Sequence, residues 1–142
     1  MKMNRSGSAV WTGGLKDGRG TISTQSGALK EHPYGFASRF EGVAGSNPEE
    51  LIGAAHAACF TMALSLILGE AGFKADRMST SAVVTLEQVP DGFSITASHL
   101  TLEATIPGVD DAAFQALAAK AKAGCPVSKL LNTAITLDAK LV

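Results

Sequence analysis

The stretch SNPEELIGAAHAACFTMALSLILGEAG, residues 46–72, decides how the rest of this chain is read. It carries no charged residue between Leu51 and Leu68, and a helix apolar on nearly every side belongs in the interior of a protein. Asn47 is a favoured N-cap, and Pro48 fits the first helical position, where its missing N–H would lack a partner anyway. Glu50 is placed to reach back as in a capping box. Glu49 and Glu50 together set negative charge against the positive end of the helix dipole. Gly72 supplies a left-handed cap at the far end. Gly53, Ala54, Ala55, Ala57 and Ala58 keep the first half thin, which predicts close packing against a second helix. A run of roughly 20 apolar residues is long enough to span a bilayer. His56, Thr61 and Ser65 interrupt it, however, alanine dominates its first half and its flanks are acidic, so no membrane role is expected.

The same helix carries Cys59, one of two cysteines; the other is Cys125. A lone mid-helix cysteine is most simply a small buried hydrophobe. To act as a thiolate there it needs a nearby Arg, Lys or protonated His, because the dipole helps little away from the helix ends. Residues 1–10 are polar and lack the apolar core of a secretory signal, which predicts a reducing, cytoplasmic setting. In that setting a cysteine pair is more often catalytic or redox-active than structural. There is no C-x-x-C, and His56 is the only histidine near either cysteine in sequence, so the pair is not in a zinc pattern and no metal is expected. The length of 142 residues predicts one domain, 1–142. A net charge of −1, without basic runs or aromatic–basic interleaving, argues against nucleic-acid binding.

Around the helix, residues 8–12 and 19–24 read as a hairpin across Gly13-Gly14 and Asp17-Gly18. Residues 26–35 read as a loop, and 36–41, FASRFE, as a short strand containing Arg39. Residues 78–89 alternate cleanly up to the turn Pro90-Asp91-Gly92. On the return strand the apolar set moves from odd positions (Phe93, Ile95, Ala97) to even ones (Leu100, Leu102, Ala104, Ile106). A strand of period two cannot change face without an extra residue, so a bulge is predicted near Ser98–His99. His99 is then a sheet-edge or surface residue without a chemical role. A second helix is predicted over 112–123, capped by Asp110 or Asp111, with Phe114, Leu117, Ala118 and Ala121 inward. Gly124 ends it. Pro126 opens a short third helix through Leu131 and makes Cys125 its N-cap, a position that lowers a thiol pKa. Ile135, Leu137, Ala139 and Leu141 alternate as a last strand. Strands, a buried helix, a long hairpin, helices and a strand make an α+β fold. An uncharged helix in so short a chain is hard to cover, which predicts that a dimer buries what one chain leaves exposed.

NPEELIGAAHAACF followed by KAKAGCPVSKLL resembles the OsmC/Ohr family, osmotically inducible protein C and the organic hydroperoxide resistance proteins. The likeness extends to YGFASRFEG, LGEAGF and the final ITLDAKL. The resemblance implies an α+β fold of antiparallel sheets wrapped around long central helices, assembled as an intertwined homodimer with its sites at the subunit interface. It implies a cysteine-dependent peroxidase that reduces organic hydroperoxides, and hydrogen peroxide less well, with an external dithiol as reductant and no cofactor. By motif, Cys59 is the peroxidatic thiol and Cys125 the resolving thiol; Arg39 activates the thiolate and Glu49 orients Arg39. In the Ohr branch the arginine comes from an earlier stretch, which makes Arg19 the rival, while the SRFEG match points to the OsmC branch. Phe36, Phe40, Phe60 and Met62 are candidates for an apolar wall that favours organic peroxides.

One feature strains this assignment. Ten residues separate Glu49 from Cys59, about 15 Å along a straight helix. Either the helix breaks near residues 53–55, which is the expectation here, or the groups meet across a dimer. Plainer readings exist for each residue: a surface pair of Arg39 with Glu41 or Glu31, helix-end charge for Glu49 with Glu50 able to take its part, and a satisfied core histidine for His56. The rival from another class is a non-catalytic redox switch or small hydrophobic ligand-binding module. A third reading is a metal site from His56, Cys59 and Cys125.

Overall fold

The computed structural model describes residues 1–142. The chain gathers into two compact units, Met1–Leu51 and Ile52–Val142.

In the first unit, β1 (Gly7–Thr12) and β2 (Arg19–Thr24) form the expected antiparallel hairpin. Residues 26–35 are not all loop. His32–Tyr34 forms β3, which pairs antiparallel with β2 although Pro33 cannot donate to a ladder. An outermost strand tolerates that loss, and β3 is the outer strand of the order β1-β2-β3. Residues 36–41 are not a strand: Phe36–Phe40 forms a short helix, α1. The Ser38 hydroxyl accepts from the Gly35 N–H at 3.0 Å and donates to the Ser46 carbonyl at 2.8 Å. Those local bonds stabilise a helical turn over the extended form that alternation alone favours.

Pro48–Glu70 forms α2, one continuous helix. Asn47 Oδ1 accepts from the Glu50 N–H at 2.8 Å, and Glu50 Oε2 accepts from the Asn47 side-chain amide at 3.0 Å, so the reciprocal cap closes through the side chain. At the other end Gly72 takes φ +85°, and the Phe73 N–H reaches the Leu68 carbonyl at 2.8 Å. The break expected near residues 53–55 is absent. Gly53 serves a different purpose: a Cβ there would lie 2.9 Å from the Ala82 carbonyl oxygen. Gly53 therefore lets α2 approach a strand backbone at this point.

In the second unit, β4 (Arg77–Val89) and β5 (Gly92–Thr105) form the long hairpin. The register slips between Thr85 and Leu86, which face Ala97 and Ile95, so Thr96 is the extra residue. The bulge thus precedes its predicted place, and Ser98 already points inward with Leu100, Leu102 and Ala104. Asp111–Gly124 forms α3, capped by Asp110, and Pro126–Leu130 forms α4, capped by Cys125. Ala134–Leu141, β6, pairs parallel with β5, so this sheet is mixed and not purely antiparallel. The crossover through α3 and α4 supplies the long connection that a parallel neighbour requires. His99 lies on the central strand and not at an edge; its exposed ring contacts Thr136 and, at 3.1 Å, Asp138.

The core of this unit joins Phe60, Leu64 and Leu68 of α2 to Leu100 and Leu102 of β5 and Phe114 and Ala118 of α3. By length and composition α2 could cross a membrane, but its buried face, Gly53, His56, Phe60, Leu64 and Leu68, is packed in this core. Its other face, with Ala55, Ala58, Met62 and Leu66, is exposed in the single chain.

Candidate active site

Each unit holds one cluster of chemistry-bearing side chains. In the first, α1 presents Arg39 from its last turn and the start of α2 presents Glu49. Arg39 Nη2 donates to Glu49 Oε1 at 2.7 Å, and Nε donates to both carboxylate oxygens at 3.1 and 3.3 Å. The partner of Arg39 is thus Glu49, not Glu31 or Glu41, while Glu50 is taken up by the helix cap. Such a fork holds a guanidinium more firmly than a point contact would. The Glu49 side chain is only 12% exposed, whereas Arg39 at 36% keeps a face open to a further ligand. Phe36 and Phe40 pack with ring centroids 4.9 Å apart and their planes tilted by 45°, and both line a small cavity with Arg39. Arg19, the rival, is exposed on β2.

In the second unit the two cysteines meet. Both are free thiols, Cys59 half-buried and Cys125 fully buried, and the two side chains lie close enough to interact. Cys125 caps α4, and its sulfur accepts the Ser128 N–H at 3.3 Å. The Val127 N–H, in the first turn of α4, lies near the Cys59 sulfur and favours its thiolate. The start of α4 therefore comes near Cys59. Burial still pushes the Cys59 thiol above its ordinary range; the Val127 N–H opposes this shift, and the Cys125 side chain reinforces it. Within this unit nothing offsets the desolvation of a thiolate fully.

Cys59 opens into a cavity of about 410 Å³ lined by Met62, Ala63, Leu66, Ile67, Gly124 and Pro126, with Lys120 as the one charged side chain on its wall. Met62 stands where an apolar wall was expected. Phe60 does not: it is fully buried among the core side chains, because neighbouring helical residues point about 100° apart.

His56 is fully buried, one turn before Cys59. Nδ1 is 2.7 Å from Ser98 Oγ and Nε2 is 2.8 Å from Ser128 Oγ. Burial lowers its pKa. It is a satisfied core histidine, and with both ring nitrogens engaged it has no lone pair free for a metal shared with the cysteines. Ser128 also accepts from the Cys125 thiol at 3.2 Å. Neither serine was singled out from sequence, although the signals exist. Ser128 stands three residues after Cys125 in the first turn of a proline-started helix, and Ser98 shares its inward phase with Leu100, Leu102 and Ala104.

Residues 41–140 match the OsmC-like protein family model. The chain is 55% identical over 141 residues to peroxiredoxin OsmC of Escherichia coli K12, covering 99% of both chains. It is 36% identical over 85 residues to an organic hydroperoxide resistance protein of Xanthomonas axonopodis pv. citri, covering 59% of this chain and 58% of that one. Among solved structures, the organic hydroperoxide resistance protein OhrB of Bacillus subtilis superposes with a TM-score of 0.68 at 26% identity, over 96% of this chain and 98% of that one. With the fold in agreement with these matches, the chain belongs to the OsmC-like family.

Proposed function

We propose that this protein is a cysteine-based peroxidase that reduces organic hydroperoxides, and hydrogen peroxide less well, to alcohols. The observation that carries the reading is the contact between a half-buried Cys59 thiol, open to an apolar cavity, and a buried Cys125 thiol. The relatives named peroxiredoxin and organic hydroperoxide resistance protein support it. The Cys59 thiolate attacks the distal peroxide oxygen. The O–O bond breaks, the alkoxide takes a proton and leaves as an alcohol, and a sulfenic acid remains on Cys59. Cys125 then attacks the Cys59 sulfur, water leaves, and the disulfide is reduced by an external dithiol. Met62 and the aliphatic cavity wall favour an organic substituent.

Ionising Cys59 calls for a cation, and Arg39 is its natural source. Glu49, which holds Arg39, and Cys59 are about 15 Å apart along an unbroken helix. One arginine does not easily serve both within a single chain. The reading therefore places Arg39, Glu49, Phe36 and Phe40 of one chain beside Cys59 of a second, in a homodimer that covers the exposed face of α2. Both units together act as a single domain, in the cytoplasm.

The test adds one equivalent of cumene hydroperoxide to reduced protein and follows intact mass and free thiols beside a Cys59→Ser control. Rapid loss of both thiols in the parent alone is expected, followed by dithiol-driven turnover. Survival of both thiols, or equal peroxide consumption by Cys59→Ser, refutes the reading and leaves a ligand-binding or switch module.

A further inference from the structure

Cys125 is wholly shielded from solvent, yet its thiol must lose a proton when it closes the disulfide. Bulk water cannot take that proton directly. A hydrogen-bonded path leads inward instead. The Cys125 thiol donates to Ser128 Oγ at 3.2 Å, Ser128 Oγ lies 2.8 Å from His56 Nε2, and His56 Nδ1 lies 2.7 Å from Ser98 Oγ. With Cys125 donating to Ser128, the Ser128 hydroxyl proton is free to point at Nε2, which puts the ring proton on Nδ1 facing Ser98. Nε2 then accepts from the Ser128 hydroxyl, at the end of a two-bond path from the resolving thiol. All three side chains beyond the thiol are buried. They come from α2, β5 and α4, which makes the path a product of tertiary packing.

We infer that Ser128 and His56 form a proton relay for the resolving step, with Ser128 as the catalytic residue on Cys125 and His56 as the positioning residue behind it. The inference rests on the peroxidase reading above. In the step, the Cys125 sulfur bonds to the Cys59 sulfur while the Cys59 S–O bond breaks. The electron pair of that bond leaves with the hydroxyl, which takes a solvent proton at the open cavity and departs as water. The Cys125 proton moves to Ser128 Oγ as the Ser128 proton moves to His56 Nε2. When the dithiol reductant reopens the disulfide, Cys125 leaves as a thiolate, and the same path run in reverse returns a proton to it. Burial keeps His56 neutral before the step and so able to accept. The groups that meet its ring nitrogens are the hydroxyls of Ser98 and Ser128, and the nearest titratable groups on its own and the packed helices are Cys59 and Cys125. The Ser128 N–H, bonded to the Cys125 sulfur at 3.3 Å, steadies the charge that develops there.

The test follows both chemical steps separately in the full chain. Reduced parent, Ser128→Ala, Ser128→Thr and His56→Gln proteins are mixed with cumene hydroperoxide, quenched with dimedone and an alkylating agent, and weighed intact. This resolves thiol, sulfenic acid and disulfide over time. In Ser128→Ala and His56→Gln, sulfenic acid is expected to accumulate because closure slows by about 10²–10⁴-fold near pH 7, the scale of lost proton transfer. Ser128→Thr, which keeps the hydroxyl, restores closure. Closure at the parental rate in either variant overturns the relay, as does a deficit that Ser128→Thr leaves unchanged. Loss of cooperative unfolding in both variants assigns the network to stability and overturns it too. A parent that forms no sulfenic acid at Cys59 refutes the peroxidase reading itself, a result distinct from all of these.

Discussion

Two glycines in α2 invite the same substitution and should answer oppositely. Replacing glycine by alanine inside a helix stabilises by about 1 kcal/mol when the methyl group meets nothing. Gly69 is such a position: nothing lies within 4 Å of a Cβ built there. At Gly53 the same methyl would sit 2.9 Å from the Ala82 carbonyl oxygen and 3.6 Å from Val84 Cγ2. The first contact is too short and involves backbone, so α2 and β4 must separate by several tenths of an ångström. Overpacking of that kind costs about 1–3 kcal/mol. Because the propensity gain is common to both, the difference between Gly69→Ala and Gly53→Ala should be about 1–3 kcal/mol, or roughly 3–9 °C in Tm for a chain of this size. Urea or thermal unfolding at one fixed protein concentration measures it, since association shifts apparent stability. Equal stabilisation by both substitutions would refute the close approach of helix to strand, and with it the account of why a glycine stands at position 53.

Mixing Cys59→Ser with Arg39→Ala protein under conditions of subunit exchange should recover up to about a quarter of parental peroxidase activity, because a shared site leaves one working centre in each heterodimer; no recovery places both residues in one chain. Phe60→Ala should cost about 3–5 kcal/mol of stability, whereas Met62→Ala should leave unfolding nearly unchanged and weaken the preference for cumene hydroperoxide over hydrogen peroxide; an effect of Phe60→Ala on that preference at full stability would contradict its core position. The pKa of His56 is lowered by burial, so the unfolded chain binds its proton more readily than the folded one. Stability is therefore fully present above the unfolded value of about 6.5 and is lost as pH falls below it towards the folded value. Parallel denaturation curves of parent and His56→Gln between pH 7 and 5 should converge on acidification, and a constant gap would exclude the effect.

Local signals were legible wherever one residue type had one reason to be present. Asn47-Pro48, Gly72, Asp110 and Cys125-Pro126 marked helix ends that the structure keeps, because caps depend only on the nearest few residues. Readings that compared only alternation were less secure. FASRFE alternates like a strand but folds as α1, since Ser38 offers local hydrogen bonds that alternation does not weigh. The bulge was legible as a change of face, but its position at Thr96 was not, because the intervening residues suit either phase. Ser98 and Ser128 stood among ordinary serines until His56 was seen between them.

The sequence by itself determined the apolar helix around Cys59, the N-cap position of Cys125 and the α+β order of elements, because each follows from interactions within a few residues. Only the tertiary structure decided that α2 runs unbroken past Gly53, that Glu49 and not Glu50 holds Arg39, and that Cys59 meets Cys125 with His56 linked behind it through Ser128. Those contacts join residues 10 to 72 positions apart. The packing of a helix face against a sheet sets such contacts, and chain neighbours alone do not.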